Sequence, residues 1–128
     1  MVEQITQGIK VAVRSRYEGA YIRNYKMQFA FTYEVSISNH SKDVVQLTHR
    51  KWFIFDALNH PETVFGEGVI GEKPIIQPGQ THTYSSGCLL SGPIGAMQGN
   101  YEMVNFSNAK SFEVIIPRFE LSAPFAVN

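Results

Sequence analysis

The amino-acid sequence predicts an all-β fold, an antiparallel β-sandwich of about seven strands. The first observation is a long alternation in residues 27–37, where large apolar side chains occupy every second position. A period of two places them all on one face of a strand. The second is that turn-forming residues separate the apolar segments, and no segment has helical periodicity. This pattern is typical of immunoglobulin-like or fibronectin type III-like sandwiches, with a small barrel as the alternative.

Each strand is predicted from its own apolar segment, taken in chain order. Residues 9–13 form the first strand, the alternation described above the second, and residues 44–55 the third. In the third strand the apolar positions change parity between Leu47 and Trp52, which predicts a bulge near residues 49–51. We expect the Trp52 side chain to pack between the two sheets.

Shorter strands complete the prediction. They lie around Tyr84 and around residues 101–103, and a final alternation in residues 112–116 is closed by Pro117. The turns between strands are rich in glycine, proline, asparagine and serine, which favour tight reversals of the chain. They are predicted at residues 39–43, 78–79, 91–93 and 107–108.

Length and composition limit the classes of protein. The chain has 128 residues, which predicts a single domain over residues 1–128, and its 44% hydrophobic content supplies a core without metals or disulfides. Eleven basic residues balance eleven acidic ones, so we expect no nucleic-acid partner. Apolar runs are too short to span a bilayer, so no membrane insertion is expected. The N-terminus lacks the features of a signal peptide, which predicts a cytoplasmic protein.

The segment 65-FGEGVIGEK-73 contains Gly66, Gly68 and Gly71 in the spacing G-x-G-x-x-G. A dinucleotide site needs a helix that begins at these glycines, because the helix N-terminus holds the pyrophosphate. Two prolines and a pair of isoleucines follow closely and exclude that helix, and no Gly-Lys-Ser/Thr is present. We therefore expect the glycines to provide positive φ angles or close backbone approach.

A binding role for this loop stays open. Successive backbone N–H groups in a glycine turn can bind an anion without a helix. The candidate ligand-binding residues are Gly66, Gly68, Val69 and Gly71, joined by Arg50 if the bend in the third strand directs its guanidinium toward the loop. The predicted ligand is a divalent cation or a phosphate-type anion.

Several short motifs follow one another in a fixed order along the chain. They are Arg50-Lys51-Trp52, the glycine loop, Pro78-Gly79, Tyr84-Ser85-Ser86-Gly87 and Met97-Gln98-Gly99-x-Tyr101. The segments that carry them are 29-FAFTYEVSISN-39, 45-VQLTHRKWFIFD-56, 66-GEGVIGEKPIIQPGQTHTYSSG-87, 93-PIGAMQGNYEM-103 and 112-FEVIIPRF-119. In this order and spacing, the chain resembles the bacterial ApaG family over nearly its whole length.

The resemblance implies a fibronectin type III-like sandwich and little about activity. Bacterial ApaG proteins are associated by name with cobalt resistance and magnesium efflux. Related domains at the C-terminal end of eukaryotic F-box and polymerase-interacting proteins are credited with protein binding. The family supplies no accepted catalytic residues, so the resemblance implies none here.

Catalysis is not expected from the residues either. Four histidines, at positions 40, 49, 60 and 82, lack the close spacing of a metal site, although His49 and His82 could converge in space. The lone Cys88 lies in an apolar segment and is expected to be a buried structural thiol. The segment Ser85-Ser86-Gly87 lacks a nucleophile elbow. No cofactor is expected.

Carboxylates flank the glycine loop. Glu62, Glu67 and Glu72, with His60 nearby, could form a weak surface site for Mg²⁺, because carboxylate oxygens are ligands that this ion prefers. The alternative is a solvated acidic loop without a metal. A link to metal physiology could equally be indirect, through contact with a transporter.

Apolar residues lie in the same segment, which is predicted as a long loop over residues 59–74. We expect most of them to pack onto the sheet, with Phe65 and Ile70 as candidates for partner contact. The sequence thus predicts a non-enzymatic interaction module, monomeric or homodimeric, that binds an unidentified protein partner and is loosely associated with cobalt and magnesium homeostasis. The alternative is a small-ligand sensor that binds a metal or an anion at the loop.

Overall fold

The structure, a computed structural model, describes residues 1–126 and contains nine strands and one short 3₁₀ turn. The strands are β1 (Val2–Thr6), β2 (Ile9–Arg23), β3 (Lys26–Asn39), β4 (Val45–Asp56), β5 (Glu62–Glu67), β6 (Ile75–Ile76), β7 (Thr81–Leu90), β8 (Ile94–Asn105) and β9 (Lys110–Ser122), followed by the turn Pro124–Ala126. No helix in the described part of the chain is long and apolar enough to cross a membrane.

The strands form two antiparallel sheets that pack face to face. The first sheet has the order β1-β2-β3-β7, and the second has β5-β4-β8-β9, with β6 paired to β4 beyond the end of β5. Alternate side chains of both sheets fill a single buried core. The predicted antiparallel β-sandwich is therefore confirmed and the barrel alternative is wrong, whereas the finer likeness to immunoglobulin or fibronectin type III sandwiches stays a prediction.

The core explains the long alternation in β3. Its odd-numbered residues from Phe29 to Ile37 are buried, and the residues between them are exposed or half-buried. Trp52 lies between the sheets, as predicted, with its ring against Tyr33 and Phe119 at centroid distances of 5.4 and 5.9 Å. These ring contacts join β3 of one sheet to β4 and β9 of the other.

The bulge predicted in the third strand is present in β4 and sets which side chains enter the sandwich. The pairing with β8 shifts register between Leu47 and His49, so Thr48 is the extra residue. Before the bulge the odd-numbered residues face the core, and after it the even-numbered ones do. Arg50 therefore points between the sheets, whereas the Lys51 ammonium lies over the Phe53 ring, 5.2 Å from its centroid.

Three strands were not predicted. β1 and β5 are edge strands whose residues are mostly exposed, so no regular alternation marks them, and β6 is only two residues long. The prediction of one loop over residues 59–74 is therefore wrong, because β5 occupies residues 62–67 within it. Edge strands bury little surface and leave a weak periodic signal.

The prediction that Pro117 closes the last strand is also wrong, because β9 continues through it to Ser122. The pairing between β8 and β9 skips from Met97 with Phe119 to Gly99 with Ile116. Pro117 therefore lies in a bulge, where the ladder is interrupted and a missing N–H leaves no hydrogen bond unmade.

Candidate functional site

A cavity of about 400 Å³ lies between the two sheets, along the side where the edge strands β5 and β7 face each other. Its apolar lining comes from Trp52, Ile54, Val64 and Met97 of the second sheet. Its opposite wall comes from the first sheet and consists of Tyr33, Tyr84, Ser86, Gly87 and Cys88. A volume of this size and a mostly apolar lining are typical of small-molecule sites.

The glycine loop closes one end of this cavity. The Val69 N–H donates to the Glu72 carbonyl at 2.8 Å, and the Glu72 N–H donates to the Val69 carbonyl at 3.0 Å. The two residues between them, Ile70 and Gly71, have φ angles of 47° and 74°. Positive values at both central positions define a type I′ turn. Val69, Ile70 and Gly71 thereby line the cavity mouth.

Gly66 and Gly68 are required by close packing. Gly66 pairs with Arg50 across the β4–β5 ladder, and a Cβ on Gly66 would lie 2.7 Å from the Arg50 Nη2 atom. A Cβ on Gly68, which has φ +61°, would lie 2.1 Å from the Glu72 carbonyl oxygen. The expected roles, positive φ and close approach, are therefore seen at these glycines.

Arg50 is the cation of the site. Its Nη1 donates to the carbonyl oxygens of Glu67 and Gly68, at 2.8 and 2.9 Å. Within residues 1–126, its Nε and Nη2 make no hydrogen bond and its guanidinium pairs with no carboxylate. A half-buried charge without a counter-ion is unfavourable, so this guanidinium is available to an anion.

The loop amides are arranged differently from an anion-binding nest. The Gly68 N–H donates to the Thr48 carbonyl at 2.8 Å, and the Val69 N–H is held in the turn described above. Neither amide is free to bind an anion in this conformation. The structure brings all the predicted ligand-binding residues together, but it makes Arg50 the donor that faces the cavity. Ligand binding at these residues stays a prediction.

A group of tyrosines forms the polar wall. The Tyr84 hydroxyl is hydrogen-bonded to that of Tyr101, which is fully buried. Burial raises the pKa of Tyr84 and that of Tyr101, where the neighbouring Tyr84 adds to the effect, and it also raises the pKa of Tyr33. All three hydroxyls are therefore neutral near pH 7, and they offer hydrogen bonds without charge.

Cys88 lies on the same wall and is half-buried. Burial, with smaller contributions from the charges of Glu62 and Asp56, raises the pKa of its thiol from 9.0 to about 11. Since the thiolate is the nucleophile, a thiol with this pKa is inert near neutral pH. The geometry favours the predicted structural role over a catalytic one.

We expect the alkylation of Cys88 by iodoacetamide to follow this pKa. In the folded protein the rate should rise with pH along a curve whose midpoint lies near 11, because the raised pKa keeps most of the thiol protonated below that pH. In the urea-unfolded chain, the midpoint of the same titration should lie near 9.0, the ordinary value. A folded-state midpoint at or below the unfolded one would contradict the assignment.

The described residues contain no group of three His, Cys, Asp or Glu side chains that could hold a metal ion. Of the carboxylates considered for a weak Mg²⁺ site, Glu67 pairs with Lys73 at 3.6 Å and approaches His49 at 3.9 Å, and Glu62 lies at the other end of β5. This arrangement favours the alternative, an acidic segment without a metal. The two histidines that could have converged have different neighbours: the His49 ring stacks on Phe65, and the His82 ring lies beside Tyr84.

The apolar residues of the same segment divide as expected. Val69 is buried and Val64 packs against the core, whereas Phe65 and Ile70 are 66% and 61% exposed. Sequence reasoning missed the cavity itself. One signal could have indicated its wall, since Tyr84, Ser86 and Cys88 alternate along β7 and so share a face.

Comparison of the sequence with known proteins shows the family of this chain. The model of the ApaG domain matches residues 20–105, about two thirds of the chain. The chain belongs to the ApaG domain family. Protein ApaG of Acidithiobacillus ferrooxidans is 40% identical to it over 123 residues, 96% of each chain. Protein ApaG of Brucella canis is 40% identical over 124 residues, which cover 97% of this ApaG-family chain and 95% of the relative.

A solved structure supports the same fold for this ApaG-family chain. The crystal structure of a Bordetella pertussis protein described as ApaA has a TM-score of 0.80 and 37% identity, and the match covers 91% of this chain and 94% of that one. The likeness therefore extends over most of both chains.

Proposed function

We propose that this ApaG-family protein is a non-enzymatic interaction module that binds a protein partner through the tip of its β2–β3 hairpin. The hairpin tip is residues 20–28. The observation that carries the proposal is that the tip extends beyond the sandwich and exposes a cluster of large apolar side chains. An exposed apolar cluster bordered by charges is typical of a protein interaction site.

The overhang follows from the pairing of the strands. β3 loses its partner β7 where Phe29 pairs with Leu90, and from there to the turn it pairs with β2 alone. The turn itself is Asn24-Tyr25, with φ angles of 52° and 62°, which is the two-residue type I′ geometry. A two-stranded ribbon without a covering sheet buries little apolar surface, so a partner would stabilise it.

The chemistry of the tip defines the kind of partner. Tyr21, Ile22 and Met27 are exposed, and Tyr25 is 101% exposed. Arg23 and Lys26 face each other across the ladder, and residues 20–28 include no acidic side chain. The partner surface is therefore an apolar groove with an acidic rim.

The residues of the inter-sheet cavity support the non-enzymatic part of the proposal. The cavity thiol is protonated and its tyrosines are neutral, so the described residues hold no activated nucleophile there. The association with cobalt and magnesium homeostasis that the resemblance implies would then be indirect, through the partner. The protein would act in the cytoplasm, as a monomer or a homodimer.

The proposal is tested by affinity capture of the protein partner with variants of the hairpin tip. The double variant Ile22→Ser/Tyr25→Ser is expected to lose at least about tenfold in affinity for the captured partner, because exposed aromatic and aliphatic anchors contribute most of the binding energy. The matched control is Phe106→Ser, an exposed aromatic at the β8–β9 turn, where the side chain is 49% exposed. The partner is captured from an extract of the source cells. We expect the amount of partner that is captured to fall as the salt concentration is raised.

Two results would contradict this proposal. Equal capture by the tip variant and by the Phe106 control would show that the tip is not the contact surface. Capture that is unchanged between low and high salt would exclude the acidic rim. Both variants lie at exposed positions, so their thermal unfolding midpoints should match that of the unaltered protein.

A second candidate function is a small-ligand sensor at the glycine loop. The observation that favours it is the Arg50 guanidinium, which faces the cavity without a carboxylate partner. In this function the occupied cavity would stiffen the loop and β5, and so change the surface that Phe65 and Ile70 present. Because the cation of the site is a protein side chain, an anionic ligand is favoured over a divalent metal ion.

A further inference from the structure

We infer that the inter-sheet cavity binds an amphipathic monocarboxylate, with its apolar body between the sheets and its carboxylate on the Arg50 guanidinium. The inference rests on the second candidate function, the ligand sensor, and names the chemical class of its ligand. It is independent of the hairpin tip, which lies outside the cavity.

The charge at the site selects the head group. Arg50 is a cation without a carboxylate counter-ion in the described part of the chain, and Nη1 is already held by two carbonyl oxygens. The remaining donors, Nε and Nη2, lie on one edge of the planar guanidinium. That edge matches the two oxygens of a carboxylate, so a bidentate pair can form without moving Nη1.

Among the described residues that line the cavity, Arg50 is the single cation. Tyr33 and Tyr84 are neutral, and the exposed Glu67 carboxylate stands at the cavity rim. The Lys73 ammonium, 3.6 Å from Glu67, is already paired with that carboxylate, so a ligand with several negative charges, such as pyrophosphate, would find Arg50 as the one unpaired cation of the lining. A single carboxylate is therefore favoured over a polyphosphate, and the two amides that a nest would use are already bonded.

The apolar lining selects the body of the ligand. Trp52, Ile54, Val64 and Met97 line the second-sheet side of the cavity, and the volume of about 400 Å³ equals about thirteen water volumes of roughly 30 Å³ each. A phenyl or short alkyl group would fill this space and displace water from apolar surface. The Tyr33 and Ser86 hydroxyls can accept or donate hydrogen bonds midway along the ligand.

The chain carries its own reporter of binding. Trp52 is the single tryptophan and lines the cavity. We would titrate the unaltered protein with 4-phenylbutyrate and follow tryptophan fluorescence, with 4-phenylbutyramide as the neutral ligand of equal size and inorganic phosphate as the anion without an apolar body. The expected result is saturable quenching by the acid, and affinity at least about tenfold weaker for the amide and for phosphate.

Variants locate the carboxylate. Arg50→Gln is expected to weaken 4-phenylbutyrate binding at least about tenfold and to leave the weak binding of the amide unchanged. The matched control is Lys51→Gln, since Lys51 is the neighbouring cation on the opposite face, over Phe53. If Arg50→Gln fails to fold, the comparison between acid and amide on the unaltered protein still decides the question.

Three results would overturn the inference. Equal affinity for acid and amide would exclude recognition of the charge, and equal affinity for phosphate would exclude the apolar body. Absence of saturation by 4-phenylbutyrate at 10 mM, roughly the weak limit of a useful site, would exclude the ligand class. The tip variant Ile22→Ser/Tyr25→Ser should bind 4-phenylbutyrate normally, so failure of the partner proposal and failure of this one are distinguishable.

Discussion

Gly99→Ala is expected to lower the free energy of unfolding by about 3 kcal/mol, as overpacking of a rigid core does. Gly99 lies on β8 and pairs with Trp52 on β4. An added Cβ would lie 1.9 Å from the Lys51 carbonyl oxygen and 3.2 Å from the Trp52 Cα. The β4 backbone cannot move away easily, because the Trp52 side chain is buried between the sheets. Urea unfolding followed by tryptophan fluorescence measures the effect.

The control for this substitution is Gly87→Ala on the edge strand β7. A Cβ there would meet only the Phe31 carbonyl oxygen at 3.4 Å, an ordinary contact distance. Its effect should stay within about 0.5 kcal/mol, as expected for an exposed position. Equal losses of stability in the two variants would show that close approach at Gly99 is not what the fold requires.

Gly68→Ala is expected to disrupt the glycine loop and to lower the free energy of unfolding by about 2 kcal/mol. The residue has φ +61°, and its Cβ would lie 2.1 Å from the Glu72 carbonyl oxygen, which accepts the Val69 N–H. The clash displaces this turn and the Gly68 carbonyl that holds Arg50. We therefore expect 4-phenylbutyrate affinity to fall as well, which fluorescence titration measures.

The matched control is Gly71→Ala in the same loop. Gly71 also has a positive φ, +74°, but a Cβ there would meet no atom within 4 Å. Only the backbone penalty of about 1 kcal/mol should remain, so the loss of stability should be smaller than that of Gly68→Ala. If Gly71→Ala were the more damaging substitution, backbone conformation rather than close approach would explain the loop.

The strands that pack on the core could be predicted because burial leaves a period of two in the sequence. β3 is the clearest case, and the parity change in β4 predicted the bulge that directs Arg50 inward. The edge strands β1 and β5 were missed, since most of their residues face solvent. Pro117 was misread because its tolerance depends on a bulge created by pairing with β8, a property of two distant segments.

The site was predictable only in its parts. The glycine loop and Arg50 could be joined in advance, because β4 carries a visible bend. The cavity depends on how β7 of one sheet faces β5 of the other, and no local pattern contains that relation. The carboxylates considered for Mg²⁺ do not cluster for a different, local reason. Residues close in sequence, Glu62 and Glu67, stand at opposite ends of an extended strand.

The spacing G-x-G-x-x-G has a different physical meaning here from its meaning in nucleotide-binding folds. In those folds the glycines let a phosphate approach a helix N-terminus. Here Gly66 leaves room for the Arg50 guanidinium, and Gly68 leaves room for the Glu72 carbonyl oxygen. Gly71 adopts the positive φ that the type I′ turn requires. The motif therefore builds a support for Arg50, whose charge then faces the cavity.

The most direct test of this account is to ask which group receives an anion. Nuclear magnetic resonance of ¹⁵N-labelled protein resolves both the Arg50 Nε–H and the amides of Gly68 and Val69. With 4-phenylbutyrate, we expect saturable shifts at Arg50 Nε–H, and with pyrophosphate no saturable shift at the two amides. Saturable shifts of the Gly68 and Val69 amides with pyrophosphate, while Arg50 Nε–H stays unmoved by 4-phenylbutyrate, would contradict the account and make the loop an anion-binding nest.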